Sequence, residues 1–325
     1  MSNSYPRIRH HAQGPVGEVL VRREVVRLVL YLPFNHHALA LPIQRALDVY
    51  LDAVGTGLEI FSEYSLGYES ATFHEDSWSN IRQMLSTADE EYFLDDEEDE
   101  QLRLMQMKNQ FDRMVELSSE ERGVTGYGFF YWARLSWRVP PKSQMSLVSF
   151  SWPTEYLEAC GPGRMREEMM ALAALLPYAS GHAGLAFSSP NLWGPSMKNI
   201  HEEALRYPGL DVTHGQRELG MHVDGVHWLN FLGPEVLSQV GGAEALRSRL
   251  HSPSTTVQSL EGGRALVSLG PEPQAGDVLR GDTLPAYREL ARVLEPWLFP
   301  FPDHMSWRDC PPDTARRWWR RFLDE

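Results

Sequence analysis

The segment GVHWLNFLGPEVLSQVGGAEALRSRL, residues 225–250, shows most clearly how the chain is organised. It begins with an aromatic, β-prone run over residues 226–232, which predicts a short strand. A Gly-Pro pair at 233–234 ends that run, and a Gly-Gly pair at 241–242 divides the apolar spacing that follows into two short helices. The segment contains no nucleophile motif and no glycine spacing that cradles phosphate, so it is interpreted as scaffold.

Outward from this segment, strands and helices alternate along the chain. Hairpins among them favour an α+β fold, with mixed or antiparallel sheets, amphipathic helices packed on them, and room for two subdomains. The predicted strands cover residues 25–32, 58–64, 127–139, 145–152, 182–188, 255–260 and 264–269. The predicted helices cover residues 37–54, 101–117, 162–176, 198–206, 285–295 and 314–325.

The length of 325 residues allows one large domain or two. Residues 1–17 are polar and contain proline and glycine, which predicts a flexible N-terminal arm. Residues 18–300 form the predicted main domain, with a candidate subdomain boundary near 120–125 or 190–215. Residues 301–325 combine arginine with tryptophan, and we expect the resulting C-terminal helix to pack on the body rather than to bind nucleic acid.

The composition limits the class of protein. The formal net charge is −14, which argues against direct binding to nucleic acid or to an anionic membrane surface. Cys160 and Cys310 are the only cysteines, so neither a disulfide framework nor a cysteine zinc site is expected. No apolar signal segment and no membrane-spanning run are found. We therefore expect a cytoplasmic protein without a cofactor.

Residues 88–100, ADEEYFLDDEEDE, carry the densest charge of the chain. One interpretation is a solvated surface or the entry to a helix, because such a block repels itself. The other is a docking surface for a basic partner protein, because carboxylates packed this closely attract counter-charge. The candidate partner-binding residues are Asp89, Glu90, Glu91, Asp95, Asp96, Glu97, Glu98, Asp99 and Glu100.

A metal-dependent enzyme is the competing hypothesis. His222 and Asp224 form a His-x-Asp pair of the kind that non-haem iron oxygenases use together with a distant histidine, and His251 or His304 could supply the third ligand. In a chain with 12 histidines and 44 acidic residues such a short motif arises readily by chance. His182, at the start of an apolar strand, is interpreted as a core histidine. No other motif for hydrolysis or nucleotide binding is found.

Four runs of the sequence carry a resemblance to a known family. They are FYWARLSWR (129–137), SFSWPTEYLEACGPGRMRE (149–167), LPYASGHAGLAF (176–187) and WLNFLGPEVLSQVGG (228–242). Over residues 25–296 the chain resembles the TsiV-like immunity proteins of type VI secretion, once classified as a domain of unknown function. The resemblance implies a cytoplasmic protein that binds and neutralises a cognate toxic effector, which for some family members is a nuclease. It supplies no catalytic residues, and binding residues vary with the partner.

The electrostatics are compatible with this role. A nuclease presents a basic groove for phosphates, and an acidic protein can occupy that groove as a nucleic-acid mimic with fast, steered association. A non-enzymatic binding protein is therefore favoured over the enzyme that would use His222 and Asp224. The sequence does not identify the toxin or the oligomeric state.

Overall fold

The computed structural model describes residues 5–14, 17–67, 69–86, 112–119, 124–135, 143–188, 197–212, 218–301, 311 and 313–324. Within these ranges the fold is α+β, as predicted, and its strands form one sheet in which every paired ladder is antiparallel. The strand order is β10-β11-β9-β8-β2-β7-β6-β5-β3-β4, and β1 pairs with β2. The strands are β1 (His10–Gly14), β2 (Gly17–Leu32), β3 (Glu63–Leu66), β4 (Glu69–Thr72), β5 (Arg113–Ser118), β6 (Gly128–Ala133), β7 (Ser146–Pro153), β8 (Ser180–Ser188), β9 (Leu229–Leu232), β10 (Thr255–Leu260) and β11 (Arg264–Leu269).

Helices cover both faces of this sheet. They are α1 (His36–Val54), α2 (Ser77–Ser86), α3 (Thr154–Ala174), α4 (Met197–Arg206), α5 (Pro234–Gln239), α6 (Gly242–Arg249), α7 (Pro285–Leu294) and α8 (Thr314–Trp319). Buried side chains of α1, α2 and α3 belong to one hydrophobic core, and those of α5, α6 and α7 belong to a second. None of the helices within the described ranges is long and apolar enough to cross a membrane.

β2 lies at the centre and separates the two cores. Val26, Leu28 and Leu30 contribute to the first core, whereas Val29 and Tyr31 contribute to the second. Successive side chains of a strand point to opposite faces, so a strand covered on both faces is apolar throughout. This accounts for the nearly continuous apolar run over residues 25–32, and Arg27 is its one charged member.

The segment 225–250 folds as predicted into a strand and two short helices, β9, α5 and α6. The glycines that divide it have structural reasons. A Cβ on Gly233 would lie 2.2 Å from the carbonyl oxygen of Tyr178, so no larger residue fits between these two backbones. Gly241 and Gly242 have φ angles of 92° and 85°, a region that only glycine adopts without strain.

The prediction of a helix over residues 101–117 is wrong for residues 113–117. Residues 113–118 form β5, in which Val115 and Leu117 are buried and alternate with less buried neighbours. β5 pairs with β3 and β6, and this pairing overrides the helix-like spacing of its apolar residues. Residues 87–111, including the whole acidic run, lie outside the described residues.

Other element boundaries also differ from the prediction. α3 consists of two helical segments that meet at a kink, because Gly161 has non-helical backbone angles (φ 80°, ψ 156°), and the predicted helix corresponds to the second segment. The strand expected over residues 58–64 lies at Glu63–Leu66, and the residues before it form a turn.

Both chain ends contact the body of the fold. Tyr5 and Ile8 are buried, and the backbone N–H of Ile8 donates to the Glu24 carboxylate of β2 at 2.9 Å. In α8, Trp318 is buried against the body. Strands from both sides of the two candidate subdomain boundaries belong to the same sheet.

Candidate functional site

A cluster of charged and histidine side chains is buried beside the middle of the sheet. Arg27 in β2 donates to the Asp211 carboxylate at 2.8 Å, and the Nε2 atom of His182 in β8 lies 3.2 Å from the same oxygen. Asp211 is held in place because its backbone N–H donates to the Leu185 carbonyl at 2.8 Å. All three side chains are almost fully buried, so each needs the partners that it has.

His227 completes the cluster just ahead of β9. Its imidazole ring stacks on that of His182, with 3.9 Å between the centroids and 17° between the planes. Asn230 fixes the backbone on both sides, since it accepts from the His227 N–H at 3.0 Å and donates to the His227 carbonyl at 2.7 Å. The Nδ1 atom of His227 is buried and has no hydrogen-bond partner within the described part of the chain.

The C-terminal segment covers this cluster. The Arg321 guanidinium lies 3.9 Å over the Trp318 ring and donates through Nε to the Pro208 carbonyl at 2.7 Å. On the opposite side, the Tyr31 hydroxyl donates to the Asp224 carboxylate. A cavity of about 30 Å³ remains between Asp224 and the C-terminal segment. Such a volume holds about one water molecule, so among the described residues the cluster leaves no space for a substrate.

The environment shifts the pKa values of these groups in opposite directions. Burial alone would raise the pKa of Asp211, but Arg27 and His182 hold it well below its usual value. Burial, together with His182, lowers the pKa of His227 well below its usual value. Burial raises the pKa of Asp224, although His182 partly opposes this, and burial lowers the pKa of Arg321 to about 10. Asp211 is therefore the ionised partner of Arg27 at neutral pH.

Within the described ranges, one group of side chains has the composition of a metal site: His182, Asp211 and His227. Two features of the cluster oppose coordination. The lone pairs of an imidazole lie in its ring plane, so two stacked, nearly parallel rings do not direct them at a common ion. The Arg27 guanidinium also occupies the carboxylate, where it would repel a cation. The arrangement is suited to stabilising the fold.

The structure does not bring together the residues of the competing metal-site hypothesis. His222 is exposed, and its Nδ1 atom lies 3.1 Å from the Leu219 carbonyl. Asp224 instead bonds with Tyr31, and neither residue belongs to the histidine cluster. His251 is exposed elsewhere on the surface, and His304 lies outside the described residues. The His-x-Asp motif does not form a metal site, because the side chains of His222 and Asp224 lie in different environments.

Sequence reasoning missed the residues that the cluster depends on. Arg27, as the only charge in an apolar strand, was the available signal, since a charge buried on a central strand needs a partner. Asp211 lies in a loop-rich stretch with no pattern of its own, so only the tertiary structure identifies it as that partner. The predicted partner-binding acids, residues 89–100, cannot be related to the cluster because they lie outside the described ranges.

Comparison with protein families identifies the chain. A family model described as TsiV, type VI immunity for VRR-NUC, matches residues 42–322. The chain belongs to the TsiV family. It is thus a member of a family of type VI immunity proteins, as the resemblance indicated.

Solved structures support the same fold. The T6SS protein PA0821 of Pseudomonas aeruginosa superposes with a TM-score of 0.71 and 18% sequence identity, covering 97% of this chain and 87% of that protein. At this level of identity the similarity shows a shared fold. A search of curated proteins finds no match.

Proposed function

We propose that this TsiV-family chain is a cytoplasmic immunity protein that binds a cognate VRR-NUC effector of a type VI secretion system. It blocks the active site or the substrate-binding site of that effector, and it catalyses no reaction of its own. The observation that carries this proposal is the family match over residues 42–322, which spans most of the fold described above.

Charge supports this mode of action. A nuclease needs a basic surface for the phosphates of its substrate, and the chain carries a net charge of −14. Surfaces of opposite sign accelerate association and favour the correct partner. The same negative charge disfavours direct binding of nucleic acid or of an anionic membrane by the chain itself.

We assign part of the contact to the acidic run, residues 89–100. The run lies between two anchored elements, because α2 ends at Ser86 and β5 begins at Arg113. At one end, Met84 and Leu85 of α2 are buried in the first core; at the other, Arg113 is fully buried. The elements on either side of the run, α2 and β5, thus both pack on the first core, and the charge density of the run supports its role in the contact.

The decisive experiment measures inhibition. Purified cognate VRR-NUC effector is mixed with increasing amounts of the chain, and cleavage of DNA is followed. We expect inhibition that is complete at about one equivalent, and protection of cells that produce the effector. Full nuclease activity in the presence of excess folded chain would reject the proposal.

The role of the acidic run is tested by kinetics. The variant Asp95→Asn, Asp96→Asn, Glu97→Gln removes three charges from the run. The control variant Glu235→Gln, Glu244→Gln, Glu261→Gln has the same net charge, and its changes are exposed on α5, α6 and the β10–β11 turn. Association with the effector is measured at low and at high salt.

We expect the run variant to associate several-fold more slowly at low salt, and the control variant to behave like the unmodified chain. The difference should diminish at high salt because exposed charges are then screened. Equal association rates for the two variants would remove the run from the interface without affecting the proposed inhibition.

A further inference from the structure

A groove lies between α1 and α3 on the first face of the sheet. Its volume is about 390 Å³; the buried Trp152 of β7 and Leu172 of α3 form its floor, and the exposed Val49 and Ala53 of α1 line its wall. Its rim carries three carboxylates, from Asp52, Glu167 and Glu168, and one guanidinium, from Arg164. The groove thus combines an apolar floor with an acidic rim.

The floor is rigid. Trp152 is buried and packs edge-on against Tyr50, with ring centroids 5.2 Å apart and an interplanar angle of 81°. The Tyr50 hydroxyl donates to the Ser151 carbonyl at 2.6 Å and accepts from the Gly128 N–H at 3.1 Å. These contacts fix the floor before any partner arrives, so binding there would cost little ordering.

The rim carboxylates differ in how well they are paired. Glu168 accepts from the Tyr156 hydroxyl at 3.1 Å and from Arg164 Nε at 3.0 Å. Glu167 is largely exposed, and its carboxylate forms a long ion pair with Arg164, at 3.9 Å. Asp52 is exposed and has no ion pair within the described ranges. Two carboxylates at the mouth of the groove are therefore available to a cation.

We infer that this groove receives an arginine or lysine side chain of the effector, and the inference rests on the function proposed above. Such a side chain has an apolar stem and a charged tip, which match the floor and the rim. Arginine is also enriched among the residues that dominate the affinity of interfaces. The occupant would be one of the basic residues with which the nuclease holds phosphate, so its capture would compete with the substrate.

The groove belongs to a layer of three packed helices. Gln44 of α1 donates to the Leu85 carbonyl of α2 at 3.5 Å, and Arg82 of α2 forms an ion pair with Asp48 of α1. α2, α1 and α3 thus form one helical layer, and the groove between α1 and α3 belongs to it. We assign anchoring of the effector to this groove.

Arg164 occupies the rim in the free chain. Because it already pairs with Glu168 and approaches Glu167, it competes with an incoming cation for the same carboxylates. Removing its charge while keeping a polar side chain, as in Arg164→Gln, should therefore strengthen binding, whereas removing carboxylates should weaken it.

The test measures dissociation of the complex with purified, catalytically inactive cognate VRR-NUC effector. Ala171→Trp fills the groove from its exposed wall, and the double variant Asp52→Asn, Glu167→Gln neutralises the rim. The matched control for charge is Glu235→Gln, Glu244→Gln, on the opposite face of the sheet. Melting temperatures of all variants identify any that fail to fold.

We expect Ala171→Trp and the rim variant each to dissociate about tenfold faster or more, because truncating a charge pair that is buried in an interface acts on dissociation. Arg164→Gln should dissociate more slowly, and the control variant should be unchanged. If the unmodified chain binds the effector and folded groove variants dissociate at its rate, the groove is not an anchor, although inhibition itself would stand.

Two further outcomes would also overturn the inference. If the unmodified chain does not bind the effector, the proposed function fails and the groove loses its occupant. If Ala171→Trp changes the oligomeric state of the free chain in analytical ultracentrifugation, the groove is a contact between two copies of the chain.

Discussion

Replacing Asp211 with asparagine tests whether the buried cluster stabilises the fold. The Asp211→Asn substitution would keep the volume of the side chain but would remove the negative charge that the buried Arg27 guanidinium contacts at 2.8 Å. Breaking a buried pair by removing one partner costs about 3–5 kcal/mol. For a chain of 325 residues the entropy of unfolding is about 0.7 kcal/mol per kelvin, so the melting temperature should fall by about 4–7 °C.

The assay is thermal unfolding followed by circular dichroism, with Glu244→Gln as the control. Glu244 pairs with Arg247, but its side chain is 89% exposed, so its loss should cost less than about 1 kcal/mol. The double variant Arg27→Met, Asp211→Asn should recover part of the lost stability because no buried charge then remains unpaired.

The dependence on pH gives a second check. The pKa of Asp211 is lower in the folded chain than its unfolded value of about 3.9, so its stabilisation is present above that pH and is lost as the pH falls. The difference between Asp211→Asn and the unmodified chain should thus be constant from about pH 6 to 8 and shrink below about pH 4. If Asp211→Asn lowers the melting temperature by less than about 1 °C at pH 7, the pair of Arg27 and Asp211 does not stabilise the fold.

The remaining predictions concern one histidine and two glycines. Burial and Arg22 lower the pKa of His201 to about 4. As the pH falls from about 6.5 to 4, the free energy of unfolding should therefore decrease by up to about 1.4 kcal/mol per pH unit. His201→Gln should flatten this slope in urea titrations. Gly233→Ala should cost roughly 3 kcal/mol or more, because its Cβ would meet the Tyr178 carbonyl oxygen at 2.2 Å. Gly242→Ala has open space around its Cβ and should cost only about 1–2 kcal/mol through its φ of 85°; similar losses for the two variants would contradict this distinction.

The alternation of apolar residues predicted much of the fold. β6 and β7 correspond to the strands predicted over residues 127–139 and 145–152, and the structure pairs them, with Phe129 and Tyr131 buried on one side. The hairpin β10–β11 and the helix α7 were also predicted within a residue or two. These elements are determined locally, because turn residues and the period of burial both act over short distances.

The functional class also followed from the sequence, through runs that resemble an immunity family and through a net charge of −14. The predicted partner-binding role of residues 89–100 stays a prediction. The competing metal site at His222 and Asp224 is not assembled, because a two-residue motif does not determine where its side chains point.

The sequence by itself thus determined many of the strands and helices, the acidic balance and the family, since each is a property of a continuous stretch or of the whole composition. Only the tertiary structure decided that residues 113–118 are a strand, that Arg27 meets Asp211 across 184 positions, and that α1 and α3 enclose a groove with an acidic rim. The physical reason is that cross-strand pairing, burial of charge and the space between helices depend on residues far apart in the chain. No local pattern records which of them become neighbours.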